Sequence, residues 1–323
     1  MRAIVVEEFG PPESLTVQER PEPEPGPGQV RIRVEAAGVN FVDSIMASGG
    51  YQFSPRVPYV PGSEVAGTVD AVGEGVDAVA VGDRVLASCG FGGFAEAVTV
   101  KADQALAIPD GLDTATAATV VQAYGTGLFA LEMRAGLKEG ETLLVLGAGG
   151  GVGLAAVDVG RALGARVFAA ASSEAKRDAA LAAGAQAAID YTTEDLKVRA
   201  RELAGGTGVD VIYDPIGGDM AEASIRALGD FGRYLVIGFV GGIPKVPTNQ
   251  ILLRNRSVVG VEWGGWALFH PEENAVLIRR LLDLLAEGRL HPSAPVAYAL
   301  EEGPAVLAAL VARELTGKAV LVP

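Results

Sequence analysis

The chain has 323 residues, with 40 acidic and 26 basic side chains and a formal charge of −14. This length is enough for two domains, each with its own core. The acidic balance disfavours nucleic acid or an anionic membrane as the main partner. Cys89 is the single cysteine, which excludes an intrachain disulfide and a cysteine-rich zinc site. Acids stand where a signal peptide has its apolar core, and no apolar run reaches membrane-spanning length, so a cytoplasmic protein is expected.

The first third of the chain predicts a compact β domain of short strands between Gly and Pro turns. Residues 29–36 alternate Val or Ile with charged residues, which is the pattern of a half-buried strand. Residues 21–28 predict a surface loop, because proline fixes φ and lacks the N–H that a central strand needs. The expected strands are residues 2–7, 15–19, 29–36, 59–72, 83–87, 94–100 and 105–108.

From residue 114 the pattern changes to alternating helices and strands. Residues 114–131 predict one or two helices, and buried strands then alternate with amphipathic helices up to a sixth strand at 257–261. Such alternation predicts a parallel sheet that is covered on both faces. After residue 264 the chain is expected to return to the first domain. The predicted domains are residues 1–122 with 264–323, and residues 123–263.

A glycine cluster follows the first strand of the predicted parallel sheet. Residues 142–146 are a β-type run, residues 147–153 hold five glycines, and apolar residues then recur at helical spacing. Glycines allow a close approach of the backbone to a pyrophosphate, and the helix that opens near Gly151 directs its free N–H groups at the charge. This strand, turn and helix predict a dinucleotide cradle, although a Gly-rich turn also occurs where a helix only packs tightly on a strand.

Three motifs together resemble the medium-chain dehydrogenase/reductase superfamily: residues 61–76, residues 81–85 and the glycine turn at 148–153. In zinc-dependent members a His stands at the position of Ser63 and a Cys at the position of Asn40. The lobe with four close cysteines is missing between Val85 and Gly93. Because these ligands are absent, no tetrahedral zinc site is expected. His270 and His291 each precede a proline and are expected in surface turns.

Within the superfamily, the sequence is most similar to the zinc-independent quinone oxidoreductase group, which includes the ζ-crystallin-like enzymes. This resemblance implies an α/β fold, with a GroES-like β domain and a Rossmann doubly wound parallel sheet, a homodimer and a nicotinamide cofactor. It implies reduction of quinones or related α,β-unsaturated carbonyls by hydride transfer without a metal. Two alternatives stay open: an enoyl-thioester (enoyl-CoA) reductase of the same superfamily, and a noncatalytic NADPH-binding protein. The run 257–263 would extend a sheet across two subunits if it lies at an edge.

The end of the second parallel strand favours NADPH over NADH. NAD-specific sites place an acid about 20 residues beyond the glycine turn, whereas this strand ends in alanines and serines. The resemblance matches Lys176 to a lysine on the 2′-phosphate, with Ser172 and Ser173 in the same loop and Tyr191 beside the adenosine. Glu174 is the one possible NAD acid, and it is expected instead in the first turn of a helix, where it favours the dipole. Lys176 as an ordinary solvated helix residue is the alternative.

The remaining cofactor and substrate residues are also assigned from the resemblance. The backbone of the glycine turn is expected on the pyrophosphate, and other side chains at the nicotinamide end. These cofactor residues are Gly150, Gly151 and Val152 for the pyrophosphate, and Thr126, Phe239 and Val240 for the nicotinamide; Phe239 could equally be a core residue.

Asn40 and Tyr51 are the candidate catalytic residues, because an amide and a phenol can hydrogen-bond a carbonyl oxygen while charge develops on it. Asn40 could equally hold a turn after Gly38. Asp43 is expected as a helix cap or an ion-pair partner. Three aromatic side chains could form an apolar wall or fill a core: Phe53, Trp263 and Trp266.

Overall fold

The chain forms two compact units, and the computed structural model describes residues 1–52 and 55–323. The first unit contains Met1–Gln122 and Ser293–Pro323, and the second contains Ala123–Pro292. The chain thus returns to the first unit at residue 293, not at residue 264, where the sequence analysis placed the change. The physical reason is the helix Pro271–Ala286, whose Leu277 and Leu281 are buried and whose Asn274 accepts a hydrogen bond from Trp263 Nε1 at 2.9 Å.

The first unit is a β structure with three short helices. Its strands are β1 (Arg2–Val5), β2 (Thr16–Glu19), β3 (Gln29–Val39), β4 (Glu64–Val72), β5 (Arg84–Ser88), β6 (Ala97–Lys101), β7 (Ala105–Ala107), β14 (Val296–Ala299) and β15 (Ala319–Val322). Its helices are α1 (Phe41–Ala47), α2 (Thr114–Ala117) and α11 (Gly303–Val311). The main sheet has seven strands in the order β14-β15-β3-β4-β5-β7, with β6 paired to β3, and β1 pairs with β2 separately.

Strand β3 organises the first unit, because it pairs with β4, β6 and β15. The predicted alternation holds along it: Val30, Ile32 and Val34 are buried in the core. Arg31 and Arg33 instead pair with Asp70 on β4, at 2.7 and 2.8 Å. The strand runs on to Val39, beyond the predicted end at residue 36, because β15 adds antiparallel partners for residues 37–39.

The second unit is the predicted parallel sheet with helices. Its strands are β8 (Thr142–Leu146), β9 (Arg166–Ala171), β10 (Ala187–Asp190), β11 (Val209–Asp214), β12 (Leu228–Val236) and β13 (Ser257–Gly260). Its helices are α3 (Val120–Leu128, which begins in the first unit), α4 (Gly151–Ala162), α5 (Glu174–Ala182), α6 (Leu196–Leu203), α7 (Met220–Ala227), α8 (Thr248–Leu252), α9 (Trp263–Phe269) and α10 (Pro271–Ala286), and a π-helical segment spans Phe129–Arg134. The strand order β10-β9-β8-β11-β12-β13 is that of a doubly wound dinucleotide-binding sheet.

Most predicted elements of the second unit are confirmed within a residue or two, and β13 is the sixth strand, at one edge of the sheet. No residue ranges were predicted for three short helices, namely α1, α8 and α9. Each has only five to seven residues, which is too short for a helical repeat of apolar residues to be recognised.

A buried carboxylate fixes the turn that follows β11. Asp214 Oδ1 accepts hydrogen bonds from the backbone N–H groups of Ile216 at 2.7 Å and Gly217 at 2.9 Å. Its Oδ2 accepts a hydrogen bond from the hydroxyl of Tyr234 on the neighbouring strand β12. Asp214 is 1% exposed, so each of these donors replaces water that the carboxylate lost on folding.

We expect Tyr234→Phe to destabilise the protein by about 2 kcal/mol, because it leaves a buried carboxylate oxygen without its donor. The measurement is the free energy of unfolding from urea titration. Tyr213→Phe is the matched control. The hydroxyl of this equally buried tyrosine has no hydrogen-bond partner among the described residues, so its loss should leave the stability within about 0.5 kcal/mol or raise it. Equal losses in the two variants would contradict the assignment.

Candidate functional site

The glycine turn between β8 and α4 has the geometry of an anion cradle. Gly150 is the extended residue before the first turn of α4, and that turn contains no acidic side chain. A Cβ at Gly153 would overlap the carbonyl oxygen of Gly147, so glycine is required where α4 approaches the end of β8. A Cβ at Gly150 would meet only the Gly147 oxygen, at 3.5 Å. The N–H of Gly150 donates to the oxygen of Gly147 at 3.0 Å. The free N–H groups of this turn are therefore those of Gly151 and Val152, while Gly150 leaves room for a close approach.

The loop after β9 lies directly on this turn. A Cβ at Gly149 would overlap the side chain of Lys176, so the lysine stem covers the glycine. Ser173 precedes the first turn of α5, and its Oγ accepts a hydrogen bond from the Lys176 N–H at 3.4 Å. Ser172 and Ser173 are both exposed. The structure thus brings together the glycine turn and the loop that the sequence assigned to a phosphate.

The charges of this loop are arranged as the NADPH assignment requires. Glu174 is exposed in the first turn of α5, as predicted, where a carboxylate interacts favourably with the helix dipole. Arg177 forms an ion pair with Asp190 at 2.9 Å, and its guanidinium also contacts the oxygen of Ala171 at 3.5 Å. Lys176 is therefore the cation that the geometry associates with the glycine turn.

Other predicted cofactor residues lie at the same edge of the sheet. Tyr191 follows β10 and packs in part against the core of the second unit. Phe239 lies beyond the end of β12, is 50% exposed and is therefore not a core residue. Its loop is fixed by a 2.7 Å hydrogen bond from the N–H of Gly241 to the oxygen of Ile216.

Val240 and Thr126 are the two remaining predicted cofactor residues. Val240, next to Phe239, is 39% exposed. Thr126 lies within α3 and is partly buried. The carboxyl ends of β8, β9, β10 and β12 are each followed by one of the predicted groups, whereas Thr126 comes from a helix.

Asn40, in the first unit, belongs to a buried polar network. Its Nδ2 donates to Glu64 Oε1 at 2.9 Å and to Ser63 Oγ at 3.3 Å. Its Oδ1 accepts from Lys318 Nζ at 2.6 Å. Lys318 also contacts Glu64 Oε1 at 3.1 Å and the oxygen of Val39 at 3.4 Å. Asn40 is thus held by protein groups on both atoms of its amide, and the three donors of the ammonium each have an acceptor.

Sequence reasoning missed Lys318 and Glu64. The signal was present, since Glu64 interrupts the apolar run of residues 60–69 and Lys318 immediately precedes the apolar strand β15. Glu64 is 1% exposed, and its second oxygen accepts from the backbone N–H of Gln122 at 3.0 Å. Such an acid must be paired to be buried. What the sequence does not show is the partner, because Lys318 lies 254 residues away.

Residues 40 and 63, the two positions at which zinc-dependent members carry metal ligands, hold an amide and a hydroxyl that hydrogen-bond each other. Among the described residues, no three or more His, Cys, Asp or Glu side chains are grouped so that they could hold a metal ion. His291 is exposed and follows α10, where its backbone N–H donates to Asp158 at 2.5 Å. His270 is exposed and stacks on Trp266.

The other candidates for the substrate site are Tyr51 and the three aromatic residues of the predicted apolar wall. Tyr51 is partly buried in the segment after α1. Phe53 lies outside the described residues. Trp263 is buried, packs on Gly125 of α3 and donates to Asn274, while Trp266 contacts Phe129 with ring centroids 4.8 Å apart. The two tryptophans are therefore used in the packing of the second unit, and the apolar wall suggested by the sequence is not assembled from them.

Asp43 is the buried acid of the first unit. It caps α1, as predicted, by accepting a hydrogen bond from the Asn40 N–H at 2.8 Å through Oδ2. Its Oδ1 has no hydrogen-bond partner among the described residues. Burial raises the pKa of Asp43 to about 7, with a further rise from Glu64 and an opposing effect of Lys318 and the hydrogen bonds. Burial also raises the pKa values of Tyr59 and Cys89, and the charge of Asp43 adds to both shifts.

Two family models identify the class of the chain as a dehydrogenase in which a GroES-like β unit accompanies a doubly wound nucleotide-binding sheet. Residues 26–110 match the family model "Alcohol dehydrogenase GroES-like domain", and residues 151–282 match "Zinc-binding dehydrogenase". None of the helices in residues 1–52 and 55–323 combines the length and apolar character that crossing a bilayer requires.

Individual relatives and a solved structure identify the family. Quinone oxidoreductase-like protein 2 of Bos taurus is 38% identical over 293 residues, which are 89% of this chain and 83% of that protein. Quinone oxidoreductase of Rattus norvegicus is 37% identical over 263 residues, or 81% and 80% of the two chains. The quinone oxidoreductase from Thermus thermophilus, solved also as its complex with NADPH, has 34% identity and a TM-score of 0.86 over the whole of both chains. The chain belongs to the quinone oxidoreductase family of the medium-chain dehydrogenase/reductase superfamily, which confirms the resemblance and the fold class.

We expect Asp43→Asn to change the pH dependence of stability. The folded pKa of about 7 lies above the unfolded value, so protonated Asp43 stabilises the fold at low pH, and this effect is lost as the pH rises to about 7. Asparagine resembles the protonated acid. From pH 5 to pH 8 the variant should therefore gain about 2 to 3 kcal/mol relative to the wild type.

Urea unfolding at a series of pH values measures this difference. The charged neighbours that act on Asp43 are Glu64 and Lys318, and both are retained in the variant. Asp103→Asn, at an exposed position of the same unit, serves as the control and should follow the wild-type profile. Parallel profiles for Asp43→Asn and the wild type would show that Asp43 is already ionised at pH 5.

Proposed function

We propose that this protein is an NADPH-dependent reductase of quinones or related α,β-unsaturated carbonyls, which acts by hydride transfer without a metal. The observation that carries the proposal is that the stem of Lys176 lies on Gly149. Ser172 and Ser173 lie in the same loop, and the first turn of α4 contains no acidic residue. The relative from Thermus thermophilus was crystallised with NADPH. Bound NADPH supplies the hydride.

The residues of the second unit fit this cofactor. Free N–H groups at the start of α4 suit a pyrophosphate, and two hydroxyls with one ammonium suit a 2′-phosphate in place of a ribose hydroxyl. The carboxylate of Glu174 is exposed in the first turn of α5. The residues that we assign to the cofactor are Gly150, Gly151 and Val152 at the pyrophosphate, Ser172, Ser173 and Lys176 at the 2′-phosphate, Tyr191 at the adenosine, and Thr126, Phe239 and Val240 at the nicotinamide.

Tyr51 and Asn40 have different parts in the proposed reaction. The phenol of Tyr51 is proposed to hydrogen-bond the substrate oxygen as negative charge develops on it, and water then supplies the proton. Asn40 uses its shortest bonds for Lys318 and Glu64. Its other amide proton makes only long contacts with Ser63 at 3.3 Å and Gly38 at 3.4 Å, so this proton is the one that a substrate oxygen can take over.

The donor set around Asn40 supports chemistry without a metal. Lys318 supplies a buried positive charge to Asn40 and Glu64, and its ammonium neutralises the Glu64 carboxylate. The protein would therefore act by holding the reactants in place and by fixed dipoles, and proton transfer by a strong acid is not required.

We also propose a cytoplasmic homodimer. The edge strand β13 leaves one side of the six-stranded sheet unpaired in the described chain, and Val258 in this strand is 41% exposed. An exposed strand edge is a ready partner for the same strand of a second copy.

The activity is tested by following NADPH absorbance with a panel of quinones and a panel of enoyl-CoA thioesters. We expect oxidation of NADPH that depends on quinone or enone, with kcat/KM at least about tenfold higher than with NADH, because the loop of Lys176 favours the 2′-phosphate by about 1.4 kcal/mol or more. Turnover with enoyl-CoA alone would show the thioester reductase instead. Tight NADPH binding without turnover on either panel would show a noncatalytic binder.

Lys176→Met tests the cofactor assignment separately, because methionine keeps an apolar stem over Gly149 and removes the charge. We expect NADPH to bind about 10- to 100-fold more weakly, as the loss of a charge-assisted hydrogen bond implies, and NADH affinity to change less than about twofold. Fluorescence titration with both nucleotides gives the dissociation constants. Lys101→Met, an exposed lysine of the first unit, is the control. Equal weakening of NADPH and NADH would count against the phosphate contact.

A further inference from the structure

The second unit carries a strongly basic cavity at the edge of its sheet opposite to the glycine turn. The cavity has a volume of about 170 Å³. Its cationic side chains come from α6, from the end of α7 and from the segment before β13, namely Lys197, Arg201, Arg226, Arg254 and Arg256. The helices α6 and α7 lead into the amino ends of β11 and β12, whereas the glycine turn follows the carboxyl end of β8. The cavity is thus separate from the cofactor residues.

The positive charge of this cavity is only partly neutralised by the protein. Arg254 pairs with Asp230 at 3.0 Å, and Arg226 pairs with Glu222 at 3.5 Å. Within residues 1–52 and 55–323, no carboxylate forms an ion pair with Lys197, Arg201 or Arg256. Three of the five cations therefore face the cavity without an anionic partner, in a chain whose net charge is −14.

Arg256 shows that the cations are close enough to repel one another. It is 6% exposed, and its guanidinium donates to the oxygens of Leu228 at 2.5 Å, Gln250 at 3.1 Å and Gly229 at 3.4 Å. Burial lowers the pKa of Arg256, and the charges of Arg254 and Arg201 lower it further, while the charge of Asp230 opposes this shift. The three carbonyl oxygens hold this side chain in place, but they do not cancel its charge.

Guanidinium groups present planar pairs of N–H donors that match the oxygens of a phosphoryl group. Lys197 and Arg201 are four residues apart on α6, so their side chains lie on one face of that helix. A multivalent phosphate would bring the missing negative charge to these residues, and the cavity is large enough for one or two phosphoryl groups and too small for a whole dinucleotide. A chloride ion would neutralise less charge and would not use the paired donors.

We propose that this cavity binds a small phosphate-bearing anion, such as inorganic pyrophosphate or the phosphoryl end of a nucleotide, at a site distinct from the glycine turn. The anion binds through Lys197, Arg201 and Arg226 at the surface, with Arg256 as the buried charge below them. Because it binds the folded protein, it also stabilises the second unit. The proposal does not depend on the activity of the protein.

The test is calorimetric titration of the full chain with sodium pyrophosphate, at constant ionic strength set with sodium chloride. We expect a site whose binding is at least about tenfold weaker in the double variant Lys197→Gln with Arg201→Gln, which loses two charge-assisted contacts. Binding of pyrophosphate at the glycine turn is a separate event that the double variant retains. Arg256 is left unchanged because it holds three backbone carbonyls. Arg279→Gln, an exposed arginine on α10, is the matched control and should bind pyrophosphate like the wild type.

Two further measurements make the outcome decisive. Lys176→Met should keep the pyrophosphate binding that the double variant loses; a loss of binding in Lys176→Met, with none in the double variant, would place the anion at the glycine turn alone and overturn the proposal. Unchanged affinity in the double variant, or no binding above the chloride background, would overturn it too. Thermal unfolding should show that pyrophosphate raises the Tm of the wild type more than that of the double variant. A parallel titration with ADP identifies the source: tighter binding than pyrophosphate through the same two residues indicates a nucleotide, and equal or weaker binding indicates an inorganic anion.

Discussion

The carbonyl oxygen of Gly147 leaves no room for a side chain at Gly153, and this constraint sets the position of helix α4 against strand β8. Since the helix begins only at Gly151, its free N–H groups face the turn and not a neighbouring strand. The same turn has no side chain at Gly149, where the stem of Lys176 lies. One tight approach of backbone to backbone thus positions a helix start that is suited to an anion, with the stem of Lys176 beside it. The other residues that we propose for the cofactor follow the carboxyl ends of the parallel strands, except Thr126.

The main electrostatic feature of the first unit is the buried carboxylate of Glu64. Glu64 is buried on a central strand, and it is tolerated because Lys318, Asn40 and the N–H of Gln122 satisfy its oxygens. The ammonium of Lys318 is in turn held by three acceptors. A fixed, neutralised network of this kind is rigid, since removal of any member would leave a buried charge or a buried polar atom without a partner. Asn40 closes this network with its two shortest hydrogen bonds, and its remaining amide proton is the one that we propose for the substrate.

The distribution of charge in the second unit follows the direction of its strands. The helices end near the amino ends of the strands that follow them. The last turns of α6 and α7 carry Arg201 and Arg226 there, and a cation interacts favourably with the negative end of a helix dipole. The first turns of α4 and α5 lie at the carboxyl ends, where free N–H groups can donate to an anion. A protein with a strongly negative total charge can therefore still carry two separate electropositive places, because each arises from local helix geometry and not from composition.

The sequence by itself determined the strands, the longer helices, the parallel sheet and the glycine turn, because apolar periodicity and the conformational freedom of glycine are local properties of the chain. It also placed Glu174 correctly in the first turn of α5. Only the tertiary structure decided that Trp263 fills the core and that Asn40 contacts Lys318, 278 residues away. It likewise showed that helix α10 belongs with the second unit. These outcomes depend on which side chain happens to fill a gap or satisfy a buried charge, and a residue's own neighbours in the sequence do not specify its distant partner.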